Sequence, residues 1–110
     1  MEIKISNQAL KWFKEDIGLK KGDKLRFYTQ VYGNSPIQKG YSLAFTQEEP
    51  LKIAASTDLD GILFFVEDGD VWYFDGHDLH VDYDAKEDEL RYEYVKSLHG
   101  ASPLGFTGYL

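Results

Sequence analysis

His77 and His80 stand among Asp75, Asp78, Asp82 and Asp84, the one stretch of this 110-residue chain where imidazoles and carboxylates gather. On a helical turn, histidines at i and i+3 share a face, and with Asp78 they would offer the oxygen and nitrogen ligands that suit iron or zinc. Acidic residues around a turn are nonetheless ordinarily a solvated surface, and two histidines in a polar segment need no metal, so no cofactor is expected. A second spacing fits calcium. Ser56, Asp58, Asp60, Gly61 and Glu67 fall on the first, third, fifth, sixth and twelfth positions of a calcium loop. Serine replaces the leading aspartate, Pro50 lies where the entering helix would run, and the residues that follow read as strands, so the flanking helices are missing. Ser35 and Ser42 lack a G-x-S-x-G elbow, and Gly33 and Gly40 have neither a glycine-rich run nor a following helix to cradle phosphate. Catalysis is therefore not expected. The tyrosines Tyr28, Tyr32 and Tyr41 could form an adaptable binding face, although such a row more often covers the second side of a sheet.

Composition narrows the function further. The chain contains no cysteine, which removes disulfides, thiolate metal sites, cysteine nucleophiles and thiolate-held iron-sulfur clusters together. Nineteen Asp and Glu against twelve Lys and Arg leave a net charge of −7, and the basic residues are scattered, which argues against nucleic acid. No apolar run reaches the length of a membrane span, and residues 1–6 alternate charge with isoleucine, unlike a targeting signal. A soluble cytoplasmic protein is expected, with a protein partner and with self-association left open.

The elements that must hold these residues follow from periodicity. Ile3 and Ile5 alternate with charge as a short strand before Ser6, a good N-cap. Ala9, Leu10, Phe13 and Ile17 then recur at helical spacing up to Gly18, a natural stop. Residues 24–32 alternate as a strand, the polar loop from Gly33 breaks it, and Tyr41, Leu43 and Phe45 alternate in the next. Residues 57–61 read as a turn cluster. Asp68-Gly69, between aromatic and branched runs over residues 62–67 and 70–74, signals a type I′ hairpin with positive φ at both positions. Residues 75–84 suit either a strand or a helical turn. Leu90, Tyr92 and Tyr94 mark a last strand over 89–95, and the glycine-rich tail from residue 96 to 110 is expected to be loosely held or partner-dependent. The domain is accordingly placed at residues 1–95.

This order, an I-x-I strand, a Ser-capped helix, a strand running into a Gly-led loop, a second strand, an Asp-Gly turn, an Asp-led segment and a final strand, resembles the HesB-like family of A-type iron-sulfur cluster carriers, and most of all a YneR-type Gram-positive branch without the cluster cysteines. The resemblance covers residues 3–94. Where the family reads roughly G-G-C-S-G, this chain has Gly33, Asn34 and Ser35, with Asn34 at the first thiol position, and the family's C-terminal C-G-C has no counterpart. The resemblance implies a single α+β domain: a mixed, mainly antiparallel, curled sheet with the N-terminal amphipathic helix packed on it. It also implies a non-enzymatic accessory or binding protein associated with iron-sulfur cluster biogenesis that holds no cluster itself. The alternatives are a small metal-binding protein using His77, His80 and Asp78, and a degenerate domain working only through protein contacts at its tyrosine face and tail.

Overall fold

Ser6 starts the helix as its residue type demands. Its backbone is extended (φ −67°, ψ 160°) and its hydroxyl accepts from the Ala9 N–H, which has no partner within the first turn. In the computed structural model, which describes residues 1–97, the helix runs as α over Asn7–Trp12 (α1) and widens into a π segment over Phe13–Ile17. Gly18 closes it in the left-handed region at φ 85°, and the Phe13 carbonyl takes both the Gly18 and the Leu19 N–H. The helix carries Ala9 and Phe13, both fully buried, into the core.

Among the described residues, seven strands form two sheets: β1 (Ile3–Ile5), β2 (Lys24–Gln30), β3 (Ser42–Gln47), β4 (Ile53–Leu59), β5 (Ile62–Glu67), β6 (His77–Asp84) and β7 (Glu89–Lys96). One sheet has the order β1-β6-β7 and the other β3-β2-β5-β4. Pairing is mostly antiparallel, with parallel contacts at β1/β6 and β2/β5, so the fold is α+β as expected, its strands divided between two sheets. Leu25, Phe27, Leu43, Phe64 and Val66 face Phe13 from one sheet, and Ile3, Leu79 and Val81 close the core from the other. Ring contacts cross the interior, Phe13 to Phe64 at 5.3 Å and Phe27 to Tyr92 at 6.1 Å.

The Asp-Gly hairpin lies eight residues earlier than expected, at Asp60-Gly61 and not at Asp68-Gly69. Asp60 (φ 54°) and Gly61 (φ 80°) have the two positive φ values of a type I′ turn and join β4 to β5. Residues 57–59 therefore belong to a strand. Asp68–Asp70 instead form a 3₁₀ turn leading into the single helical turn α2 (Val71–Phe74). The physical reason is tertiary: Asp70 is drawn to Arg26 and the Thr29 N–H, and the enclosed Tyr73 to the Tyr94 hydroxyl, which turns the chain into α2 here. Residues 77–84 form strand β6. Lys96 ends β7 and Ser97 is buried, so the expected loose tail is shortened by these two residues; the remainder of that expectation lies outside the described residues.

Candidate functional site

Residues 33–41 form the loop between β2 and β3, and its side chains are spent on holding its own shape. The Asn34 carbonyl oxygen accepts from the Gly40 N–H at 2.7 Å, pinning the two ends together. Ser35 Oγ accepts from the Gln38 N–H at 3.1 Å, and the Gln38 side chain donates to the Tyr73 carbonyl at 3.2 Å, which ties the loop to α2. Gly33 starts the loop against Ser42, whose hydroxyl donates to the Tyr32 carbonyl. Asn34 is thus a neutral amide acting as a backbone brace.

This loop walls an open cleft of about 510 Å³ whose other sides are Ser42 and Leu43 of β3 and residues 89–94 of β7. Among the described residues both strands are edges of their sheets. The Tyr94 hydroxyl shares a 2.8 Å hydrogen bond with the buried Tyr73 hydroxyl. Burial pushes the Tyr94 phenol up, the Tyr73 bond adding to it, and burial likewise raises Tyr92. Both phenols therefore stay neutral donors and acceptors at physiological pH. Arg91 on the same strand is held by Asp84 at 2.9 Å, while the Glu93 carboxylate is 77% exposed. The cleft is lined by hydroxyls and apolar side chains with a net acidic rim.

The tyrosines do different jobs. Tyr28 lies 5.7 Å beneath the Arg26 guanidinium. Tyr41 meets Trp72 of α2 edge to face at 5.1 Å, and Tyr32 lies beyond the end of β2, 74% exposed. Val71 and Trp72 add exposed apolar surface beside Tyr41 that the expected hairpin would have placed on a strand.

His77, His80 and Asp78 do not converge. They lie on a strand, where i and i+3 face opposite sides, so the shared helical face is absent. His77 Nδ1 donates to the Phe74 and Asp75 carbonyls at 2.9 and 3.0 Å, His80 lies 3.7 Å from Glu93, and Asp78 accepts the Glu2 N–H at 2.7 Å. Among the described residues, no three His, Cys, Asp or Glu side chains are grouped to hold a metal ion. The calcium spacing is likewise dispersed across a hairpin: Asp60 pairs with Lys14 at 2.9 Å and Glu67 accepts the Leu51 and Lys52 N–H groups.

The charged group that sequence reading missed is Arg26. It forks to Asp70 at 2.7 Å and Glu48 at 2.8 Å, and Asp70 also accepts the Thr29 N–H. Burial opposes the guanidinium charge, but these two carboxylates outweigh it and its pKa rises. The partners lie 22 and 44 residues away, so no local spacing announces them.

No protein-family model matches the chain. It is 43% identical over 94 residues to the pyruvate dehydrogenase inhibitor of Bacillus subtilis, covering 86% of this chain and 99% of that protein. A protein of Staphylococcus saprophyticus is 37% identical over 84% of this chain and 97% of its own length, and one of Staphylococcus haemolyticus 31% identical over 87% and 100%. The crystal structure of a candidate Fe-S biosynthesis protein from Lactobacillus acidophilus superposes with a TM-score of 0.47 at 21% identity, covering 84% of this chain and 77% of that one. With 43% of residues shared along nearly all of the Bacillus subtilis protein, this chain belongs to the same family as that pyruvate dehydrogenase inhibitor.

Proposed function

We propose that this chain is a non-enzymatic, cytoplasmic binding protein that docks on a pyruvate dehydrogenase and lowers its activity. The observation that carries this reading is the 43% identity across 99% of the Bacillus subtilis inhibitor. Such a protein would slow the enzyme by occupying its surface or its access routes. Exposed Tyr32 and Trp72 and the acidic cleft rim supply contacts of the kind such docking uses.

The order of elements supports a HesB-like scaffold in which cluster chemistry has given way to binding. Because the sequence has no cysteine and Asn34 braces its own loop, an iron-sulfur role would be that of an accessory partner and not of a thiolate carrier.

The direct test is titration of the purified full chain into purified pyruvate dehydrogenase from the same host, following pyruvate-dependent NADH formation. The expected result is a saturable fall in rate together with co-sedimentation of the two proteins. An unchanged rate at large molar excess, with no co-sedimentation, would overturn the reading.

A further inference from the structure

The cleft beside the residues 33–41 loop is touched by six consecutive residues of β7, 89–94. Alternate side chains of a strand point to opposite faces, so a cleft reached by a continuous run lies along the strand's edge. Among the described residues β7 is the last strand of its sheet, and it pairs with β6 over eight positions without a bulge. It has no Pro, Gly or bulge, and what guards its edge is charge, from Glu89, Arg91, Glu93 and Lys96, which selects for a strand of complementary charge. Ser42 and Leu43, on the edge strand of the other sheet, form the facing wall. The result is a slot between two sheet edges, about 20 Å long at the rise of a strand.

We propose that this slot takes one extended segment of a protein partner, basic and apolar in alternation, which pairs its backbone with β7. The proposal rests on the reading of the chain as a protein-binding inhibitor and names how that binding is made. Charge and pleat define the segment. Glu89 and Glu93 lie on one face of β7 with Arg91 between them, and Arg91 is held chiefly by Asp84 at 2.9 Å, with Glu89 a longer contact at 3.9 Å. Lysine or arginine at two positions four apart would meet the two glutamates, with a neutral residue opposite Arg91. The intervening residues would point inward to Leu90, Tyr92 and Tyr94, the partly buried apolar side. A second copy fits poorly, because its β7 would set its own Glu89 and Glu93 against the same acidic rim and would bring a whole sheet into a slot walled by β3. Residues 98–110 of this chain contain no Lys or Arg to complement the rim. Recognition of this kind takes affinity from main-chain bonds and specificity from alternate side chains.

The test uses the full chain, isotope-labelled, and a capped peptide Thr-Lys-Val-Thr-Val-Lys-Thr. The expected result is that amide resonances of residues 89–94 and of Ser42 and Leu43 shift and that binding weakens with salt. The peptide with Glu in place of both Lys, and the peptide N-methylated on alternate residues along either edge, should bind about tenfold more weakly or worse, the first through like charge and the second through lost backbone donors. Glu89→Lys with Glu93→Lys should exchange the preference toward the acidic peptide while leaving the denaturation midpoint in place. Shifts confined to the Tyr41 and Trp72 surface, equal binding of both peptides, a dimer dissolved by the double variant, or markedly tighter binding once residues 98–110 are removed would each overturn the proposal. If the dehydrogenase is inhibited while the peptide leaves β7 untouched, the slot falls and the inhibitor reading stands; if the peptide binds β7 and the dehydrogenase is not inhibited, the slot stands and the inhibitor reading falls.

Discussion

Truncating Phe13 tests whether the helix really holds the two sheets together. Its ring is fully enclosed and lies 5.1 Å from Trp12, 5.3 Å from both Phe45 and Phe64, and 6.3 Å from Phe27, in edge-to-face or tilted geometry. Phe13→Ala removes the apolar transfer term, leaves a cavity among rigid neighbours and deletes several ring pairs, so the loss should be about 3–5 kcal/mol. A domain of this size has a total stability of roughly 5–15 kcal/mol, and a loss of that order lowers the urea midpoint by about 2 M. Phe13→Leu, which refills much of the volume, should lose about half as much. The bonds from Gly18 and Leu19 to the Phe13 carbonyl are backbone and survive both changes, so far-ultraviolet circular dichroism should still report the helix. Urea unfolding of the three proteins under identical conditions measures the difference. A loss below about 1 kcal/mol with an unchanged slope would refute the central place given to this ring.

Gly61→Val should destabilise by about 2 kcal/mol or more in urea unfolding, because a branched residue is strained at φ 80° and its Cβ would lie 2.5 Å from Lys21 Cγ. Gly69→Val should lose less than half of that, since Gly69 has no positive φ and nothing lies within 4 Å of a Cβ built there. Ser6→Ala removes the N-cap at a loss of about 1 kcal/mol and lets the Asp82 pKa, depressed first by the Ser6 hydroxyl and then by the Tyr83 N–H, rise toward its ordinary value. A depressed carboxylate stabilises above its unfolded pKa and loses that contribution as pH falls through the folded value, so the deficit of the variant should shrink in acid; carboxyl titration by NMR and urea melts at two pH values check both points. Anaerobic incubation with iron and sulfide, then desalting, should leave no bound sulfide by chemical assay, because no thiolate exists in the chain.

Local signals were legible where one residue type decides a local geometry. The Ser6 cap, the Gly18 stop and the alternation in β2, β3 and β7 all stand at or near the expected places. Two Asp-Gly dipeptides eight residues apart defeated the reading of the hairpin, because each is flanked by β-forming runs. What separates them is tertiary: Asp70 is drawn to Arg26 and Thr29, and Tyr73 to Tyr94, which folds the second dipeptide into a helical entry. The candidate site was half legible. Asn34 and Ser35 do wall a cleft, but its other side is β7, more than fifty residues away in sequence. The histidines were misplaced because their spacing is meaningful only on a helix, and residues 77–84 are a strand.

The parallel pairing of β1 with β6 sets an order on folding. Ile3 finds Leu79 across 76 steps of chain, and the contact is secured by Leu79 N–H to the Glu2 carbonyl and Ser6 N–H to the Val81 carbonyl, each at 2.9 Å. Closing a loop of that length costs about 4 kcal/mol in chain entropy beyond the constant term, whereas β4 and β5 meet across a two-residue turn. The β4–β5 hairpin is thus the natural nucleus and β1 the last strand to dock, which during synthesis must wait for β6 to leave the ribosome. Ile3→Ala should accordingly speed unfolding and leave the folding rate nearly unchanged in a chevron, the signature of a contact absent from the transition state. Until that docking, the Ile3 side of β6 is an open edge, and the newborn chain carries there a surface that the finished protein never presents.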